Sequence, residues 1–175
     1  MRYFTYPPGN RTAQSLLRVT GRTFQTSGAE HIPRKGGAIL AANHIGYVDF
    51  IVDGLAAQPS GRLVRFMAKK DAFDHKISGP IMRSLHHISV DRANGQGSYD
   101  QAVEFARNGE IVGIFPEATI SRSFEIKPLE TGAVRMASET GVPLPPMVTW
   151  GPRLPRTNAH AHTNTDRCAA LALAN

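Results

Sequence analysis

Apolar and polar positions along this chain fall into blocks that switch between the period of a strand and the period of a helix. Gly36 and Gly37 open a short apolar run over 38–42, bounded by turn formers, which predicts a buried strand. Phe50, Ile51, Val52, Leu55, Ala56 and Ala57 then recur at helical spacing, with Asp49 at the helix start, where a carboxylate is favoured. The order repeats, with strands at 63–67, 88–90 and 111–115 and helices over 77–85 and 98–107. A further helix over 130–140 is stopped by Gly141, and a proline-rich, edge-like strand follows at 143–148. This alternation predicts an α/β fold: a single layered domain with a mixed sheet flanked by helices.

The two ends of the chain read differently. Leu16, Leu17 and Val19 among Arg11, Gln14 and Arg18 predict an amphipathic helical segment within 1–22, ending at Gly21. The folded domain is expected over 23–150. From Gly151 large apolar residues almost disappear, so 151–175 reads as an atypical or disordered tail whose last residues, 169–174, suit a turn or two of helix.

Composition narrows the partners. The 175 residues and 41% apolar content suffice for one domain with a hydrophobic core. Twenty Lys and Arg against fourteen Asp and Glu give a charge of +6, which favours phosphorylated metabolites, anionic lipid surfaces or nucleic acid. Nucleic acid drops away, because the basic residues are scattered and aromatics make up only 7%. The single Cys168 calls for no oxidising compartment, and a cytoplasmic location is the default. No window approaches the roughly 18 apolar residues of a membrane span, so contact with membrane is expected from the surface. No metal is implied: His160 and His162 lack a partner Cys or acidic cluster.

In open α/β sheets reactive groups collect at the carboxyl ends of strands, and three segments here put polar residues directly after a predicted strand. The first runs from Asn43 through His44 to Asp49. A His five residues before an Asp can fold back, helped by Gly46, so that the carboxylate takes one ring nitrogen and the other is left as a base. On spacing alone, a structural histidine at a strand end with Asp49 as a helix cap is the commoner outcome. The second segment is Asp91-Arg92, either a solvated ion pair or an Arg fork for a phosphate; Lys69 and Lys70, also past a strand end, offer point charges for the same anion. The third runs from Pro116 to Arg122, where Glu117 follows a stretch with no other charge and is placed to fix a basic side chain or a substrate hydroxyl.

Taken together these segments resemble the glycerolipid acyltransferases typified by lysophosphatidic acid acyltransferase. Asn43, His44 and Asp49 match the first family block, an Asn-His pair followed by four residues and an Asp. Ile88, Ser89, Val90, Asp91 and Arg92 look like the second. Phe115, Pro116, Glu117, Ala118, Thr119, Ile120 and Ser121 are similar to the third, and Val142, Pro143, Leu144 and Pro145 to the fourth. Met67-Ala68-Lys69 and Thr131-Gly132-Ala133 resemble the intervening segments, and the order is right throughout. Four blocks in the right order outweigh the spacing of His44 and Asp49 taken alone, and favour a catalytic pair over a structural one.

The resemblance implies an acyltransferase that moves a fatty acyl group from acyl-CoA or acyl carrier protein to the hydroxyl of a lysophospholipid such as lysophosphatidic acid. It is expected to work at the inner face of the membrane, with no cofactor beyond the thioester co-substrate. In that reading His44 is the general base and Asp49 steadies it, while Lys69, Arg92 and Arg122 hold the acceptor phosphate and Glu117, Thr119 and Ser121 complete the substrate site. Alternatives are a member of the same fold that binds lipid or acyl thioester without turnover, and, ranked last, a hydrolase using water. Three departures stand out: Ala118 and Ile120 replace the usual Gly and Arg of the third block, His86 and Ser89 replace a Gly and an aromatic residue in the second, and the sequence past Gly151 resembles none of the usual continuation.

Overall fold

A computed structural model describes residues 15, 23–47, 49–121, 125–150 and 167–172, with the main chain alone at 23, 24 and 167–172. The expected amphipathic segment over 1–22 lies outside the described residues apart from Ser15. Along the chain come β1 (Thr23–Ser27), β2 (Ala38–Ala42), α1 (Asp49–Ala57), β3 (Val64–Lys69), α2 (Lys70–Asp74), α3 (Ser78–Ser84) and β4 (Ile88–Val90). Then follow α4 (Gln96–Arg107), β5 (Ile111–Ile114), α5 (Gly132–Thr140), β6 (Pro146–Trp150) and β7 (Arg167–Ala172). The strands form one sheet in the order β1-β7-β6-β2-β5-β3-β4. Every neighbouring pair is parallel except β6 with β7. The expected mixed sheet is therefore present, and its parallel centre places the carboxyl ends of β2, β3, β4, β5 and β6 along one edge.

The period of two in β2 sorts the core into two layers. Ala38, Leu40 and Ala42 point to the layer holding Ala56 and Ala57 of α1, with Val64, Phe66, Ile111 and Met147. Ile39 points to the opposite layer, where Ala102, Val103 and Ala106 of α4 and Ala133 and Met136 of α5 pack with Ile88 and Val112. Burial on both faces explains why β2 and β5 read as continuous apolar runs rather than as alternation. Gly141 ends α5 in the left-handed region at φ 69, as its place in the sequence predicts.

The structure departs from the sequence reading in three places. The helical turn expected at 169–174, within a disordered tail, is instead strand: 167–172 form β7, which pairs Val148 with Leu171 on one side and Gln25 with Ala169 on the other. Local propensity of an Ala-rich segment is weak against main-chain hydrogen bonds to two open edges. The helix expected over 77–85 is present as α3, whereas the short α2 before it is not foreseen; Gly79 lets α3 pack against the end of α2, since a Cβ there would stand 2.1 Å from Phe73 O. β1 is not foreseen by the hydrophobic pattern, because its residues Gln25, Thr26 and Ser27 are exposed and leave no apolar period to read.

Candidate active site

Asn43 ends β2 by replacing a backbone pairing with a side-chain one. Its Nδ2 donates to Thr149 O at 2.9 Å and its Oδ1 accepts the Thr149 N–H at 2.7 Å, so the amide imitates the next peptide of a ladder with β6. The main chain is then free to turn, and His44 follows at the carboxyl edge. The His44 N–H donates to Glu117 Oε1 at 2.8 Å and its carbonyl accepts the Ser121 N–H at 2.6 Å. The residue is thus gripped by the third block on both sides of its peptide plane.

The ring of His44 is fixed as firmly as its backbone. Nδ1 lies 2.9 Å from Asp49 Oδ2, and that oxygen also accepts the Ile45 N–H at 2.7 Å and the Gly46 N–H at 2.8 Å. Asp49 is fully buried and the His44 side chain is 22% exposed, so the pair has one inner and one accessible member. A carboxylate against Nδ1 holds the proton there in the neutral ring and leaves the Nε2 lone pair as the available base. The imidazole stacks on Phe115 at 4.3 Å between centroids, and Phe115 stacks on Phe66 at 5.6 Å. Gly113 makes that stack possible, since a Cβ there would stand 2.5 Å from the Phe66 ring.

Behind Asp49 lies a second buried acid that no motif announced. Asp53 is one helical turn further along α1, fully buried, and its Oδ1 accepts the Thr149 hydroxyl. Burial pushes its carboxyl well above the usual range; the Thr149 hydroxyl works against that rise, and the charge of Asp49 adds to it. Asp49 Oδ1 and Asp53 Oδ2 are both buried without a hydrogen-bond partner. The signal in the sequence was the spacing of four between two Asp residues in an otherwise apolar helix. On the same side of the sheet, His87 is buried against Phe50 and Phe66 and its Nδ1 accepts the Phe66 N–H at 3.0 Å. Burial first, then Arg65 and His86, push its imidazole down to about 4.

The third block encloses His44 through its own turn. Glu117 is buried, and while Oε1 takes the His44 N–H, Oε2 accepts the Lys127 N–H at 3.1 Å. The Ser121 hydroxyl is buried and donates to Glu125 O at 2.6 Å. Thr119 is exposed on the turn. Arg92 reaches across from the end of β4 and donates to Ala118 O. Lys69 is turned to Asp71, Lys70 stands 3.8 Å from Asp91, and Arg122 lies outside the described residues. The structure therefore joins His44, Asp49, Glu117 and Ser121 in one hydrogen-bonded cluster, ties Arg92 to its rim, and engages Lys69 with an acid of its own. Lys127, which no motif in the sequence singles out, joins them: its Nζ donates to Ile120 O at 3.1 Å.

The two Gly replacements noted in the sequence fall at a shared backbone feature. His86 has φ 55 and Ala118 has φ 53, the positive-φ residues other than Gly among those described. The turns keep the left-handed geometry that glycine would adopt freely, and the side chains are carried at a cost. Among the described residues no group of three or more His, Cys, Asp or Glu is placed to hold a metal ion, and no helix is long and apolar enough to cross a membrane. His160 and His162 lie outside the described residues.

Known proteins resemble this chain in sequence and in fold. A family model described as Acyltransferase matches residues 23–150. A 1-acyl-sn-glycerol-3-phosphate acyltransferase of Bacillus subtilis (strain 168) is 38% identical over 124 residues, which is 70% of this chain and 60% of that protein. One from Limnanthes douglasii is 30% identical over 145 residues, 79% of this chain and 49% of its own length. The chain thus spans about half to three-fifths of the length of these curated relatives. Among solved structures, the 1-acyl-sn-glycerophosphate (LPA) acyltransferase of Thermotoga maritima matches with a TM-score of 0.73 at 22% identity, over 94% of this chain and 65% of that one, a likeness of fold.

Proposed function

Since this chain belongs to the acyltransferase family, we propose that it transfers a fatty acyl group from acyl-CoA or acyl carrier protein to the free hydroxyl of a lysophospholipid, lysophosphatidic acid foremost. The observation that carries this reading is the His44 Nδ1 to Asp49 Oδ2 contact of 2.9 Å, with the acid buried and the ring accessible. His44 Nε2 takes the proton of the acceptor hydroxyl as its oxygen attacks the thioester carbonyl. The tetrahedral adduct collapses with cleavage of the C–S bond, and the imidazolium returns the proton to the departing thiolate. The products are the new ester and a free thiol. Asp49 stabilises the imidazolium in between, and backbone N–H groups near the start of α1 serve the oxyanion in this scheme. No covalent acyl-enzyme is required, because the acceptor brings its own nucleophile.

Arg92 and Lys69 sit at the same edge of the sheet and supply positive charge for the acceptor phosphate, with Arg122 as the third candidate. Glu117 and Ser121 act in this scheme by holding His44 and the turn around it. The acceptor is an amphiphile, so the enzyme works at a membrane surface, which in a cytoplasmic protein is the inner face. The test is thiol release measured with each thioester donor, with and without a panel of lysophospholipids. Release that requires a lysophospholipid supports the proposal. Release independent of any acceptor would instead indicate a hydrolase, and no release together with co-purifying lipid would indicate a binding protein.

A further inference from the structure

The cations at the carboxyl edge of the sheet fall into two groups. Lys69 is paired with Asp71, and Lys70 lies 3.8 Å from Asp91. Arg92 and Lys127 have no carboxylate within ion-pair distance among the described residues. Their heads rest instead on carbonyls two residues apart in one turn: Arg92 Nη2 donates to Ala118 O, and Lys127 Nζ to Ile120 O at 3.1 Å. The exposed Thr119 stands between those carbonyls. A guanidinium has five donors and an ammonium three, so one carbonyl each leaves most of them for something else. Asp71 is close enough to feel the charge of Arg92, but neither head is held by a carboxylate, so the donors left over at this turn suit an anion.

The turn is tied to His44 by two routes. Glu117 holds the His44 N–H with one oxygen and the Lys127 N–H with the other. Ile120 directly precedes Ser121, whose N–H donates to His44 O at 2.6 Å. In a lysophosphatidate the free hydroxyl and the phosphate ester sit on neighbouring carbons, so a base on the hydroxyl and a grip on the phosphate must be close together. We propose that Lys127 joins Arg92 and Thr119 as a binding residue for the phosphate monoester of the acceptor, supplying the cation that Ile120 does not. The subsite rests on the acyl-transfer reading for its ligand, and on the two carbonyl-docked cations for its position. Lys127, seven residues on, brings an ammonium to the carbonyl of the residue that stands where the resemblance calls for Arg.

The experiment compares the wild type with Lys127→Met, Lys127→Arg, and Lys127→Met combined with Ile120→Arg. Calorimetric binding of glycerol 3-phosphate needs no turnover, and KM and kcat for lysophosphatidic acid report the site in action. Lys127→Met is expected to weaken glycerol 3-phosphate binding and raise KM by about tenfold or more, with kcat within about threefold. Lys127→Arg should keep both values near wild type, and Ile120→Arg should restore most of what Lys127→Met loses. Unchanged affinity and KM in Lys127→Met would overturn the proposal. So would a fall in melting temperature with a matching fall in kcat that neither Arg repairs, the behaviour of a mere prop for the turn. A wild type that binds glycerol 3-phosphate but transfers no acyl group would leave the subsite standing and sink the acyl-transfer reading instead.

Discussion

Replacing Asp49 with Asn separates the charge of this residue from its shape. Asp49 Oδ2 accepts three hydrogen bonds, from His44 Nδ1 and from the Ile45 and Gly46 amides. An Asn carbonyl in the same place accepts all three, so the loop from 43 to 47 keeps its form. The two backbone bonds each lose about 1 kcal/mol on passing from a charged to a neutral acceptor, and removing a buried charge offsets part of that. The net change in stability is expected to stay within about 2 kcal/mol. The effect on turnover is larger. At 2.9 Å and an effective dielectric of about 20, a carboxylate stabilises an imidazolium by about 6 kcal/mol before screening. Halving this for the solvent that reaches the partly exposed ring leaves about 3 kcal/mol, a factor of about 100 in kcat. The assay is kcat at saturating thioester and acceptor, beside a thermal melt of the same preparation. A variant with an intact melt that retains more than about a third of kcat would refute the idea that Asp49 steadies a charge on His44.

Two further changes follow from the same geometry. Ala118→Gly relieves an exposed residue at φ 53; the gain of about 1 to 2 kcal/mol in the fold, less the entropy glycine adds to the unfolded chain, leaves about 0.5 to 1 kcal/mol, or about 1 to 3 °C in melting temperature. A melt lowered by several degrees would mean that the Ala118 methyl makes contacts that outweigh its strain. Asp53 binds its proton more tightly folded than unfolded, so the stability it contributes is fully present below the unfolded pKa and is lost as pH rises through the folded value. Asp53→Asn does not titrate, and its melting temperature relative to wild type should therefore climb from about pH 4 upward. A difference that stays flat or falls over that range would show that Asp53 is not held protonated by the fold.

The parts of the structure legible in the sequence were those with a strong local cause. β4 falls at 88–90 as expected, and β2 and β5 are apolar runs because both faces of the central sheet are covered. Gly141 stops α5 because a left-handed position favours it. The Asn43 to Asp49 block is ambiguous alone and becomes readable through the order of the other blocks. What stayed hidden depended on partners far along the chain. Glu117 stands out as an isolated charge, but only the fold shows that it clasps the His44 and Lys127 amides rather than a basic side chain. Asp53 looks like an ordinary polar position until α1 turns it toward Thr149. Lys127 lies in a stretch without apolar period, and its value comes from a contact with Ile120 that no spacing rule anticipates. β7 was unreadable because the edges it joins are built by residues about 20 and 145 positions earlier.

The central claim is that His44 removes the proton from the acceptor hydroxyl. The most direct measurement is acceptor-dependent thiol release by His44→Ala beside wild type, at matched folding judged by the thermal melt. Among the described residues His44 contributes no side-chain bond to the fold beyond its contact with Asp49 and the stack on Phe115, so the variant should fold. If His44 is the base, kcat falls by about a thousandfold or more, with KM for the acceptor little changed. Turnover by His44→Ala at the wild-type rate would contradict that role.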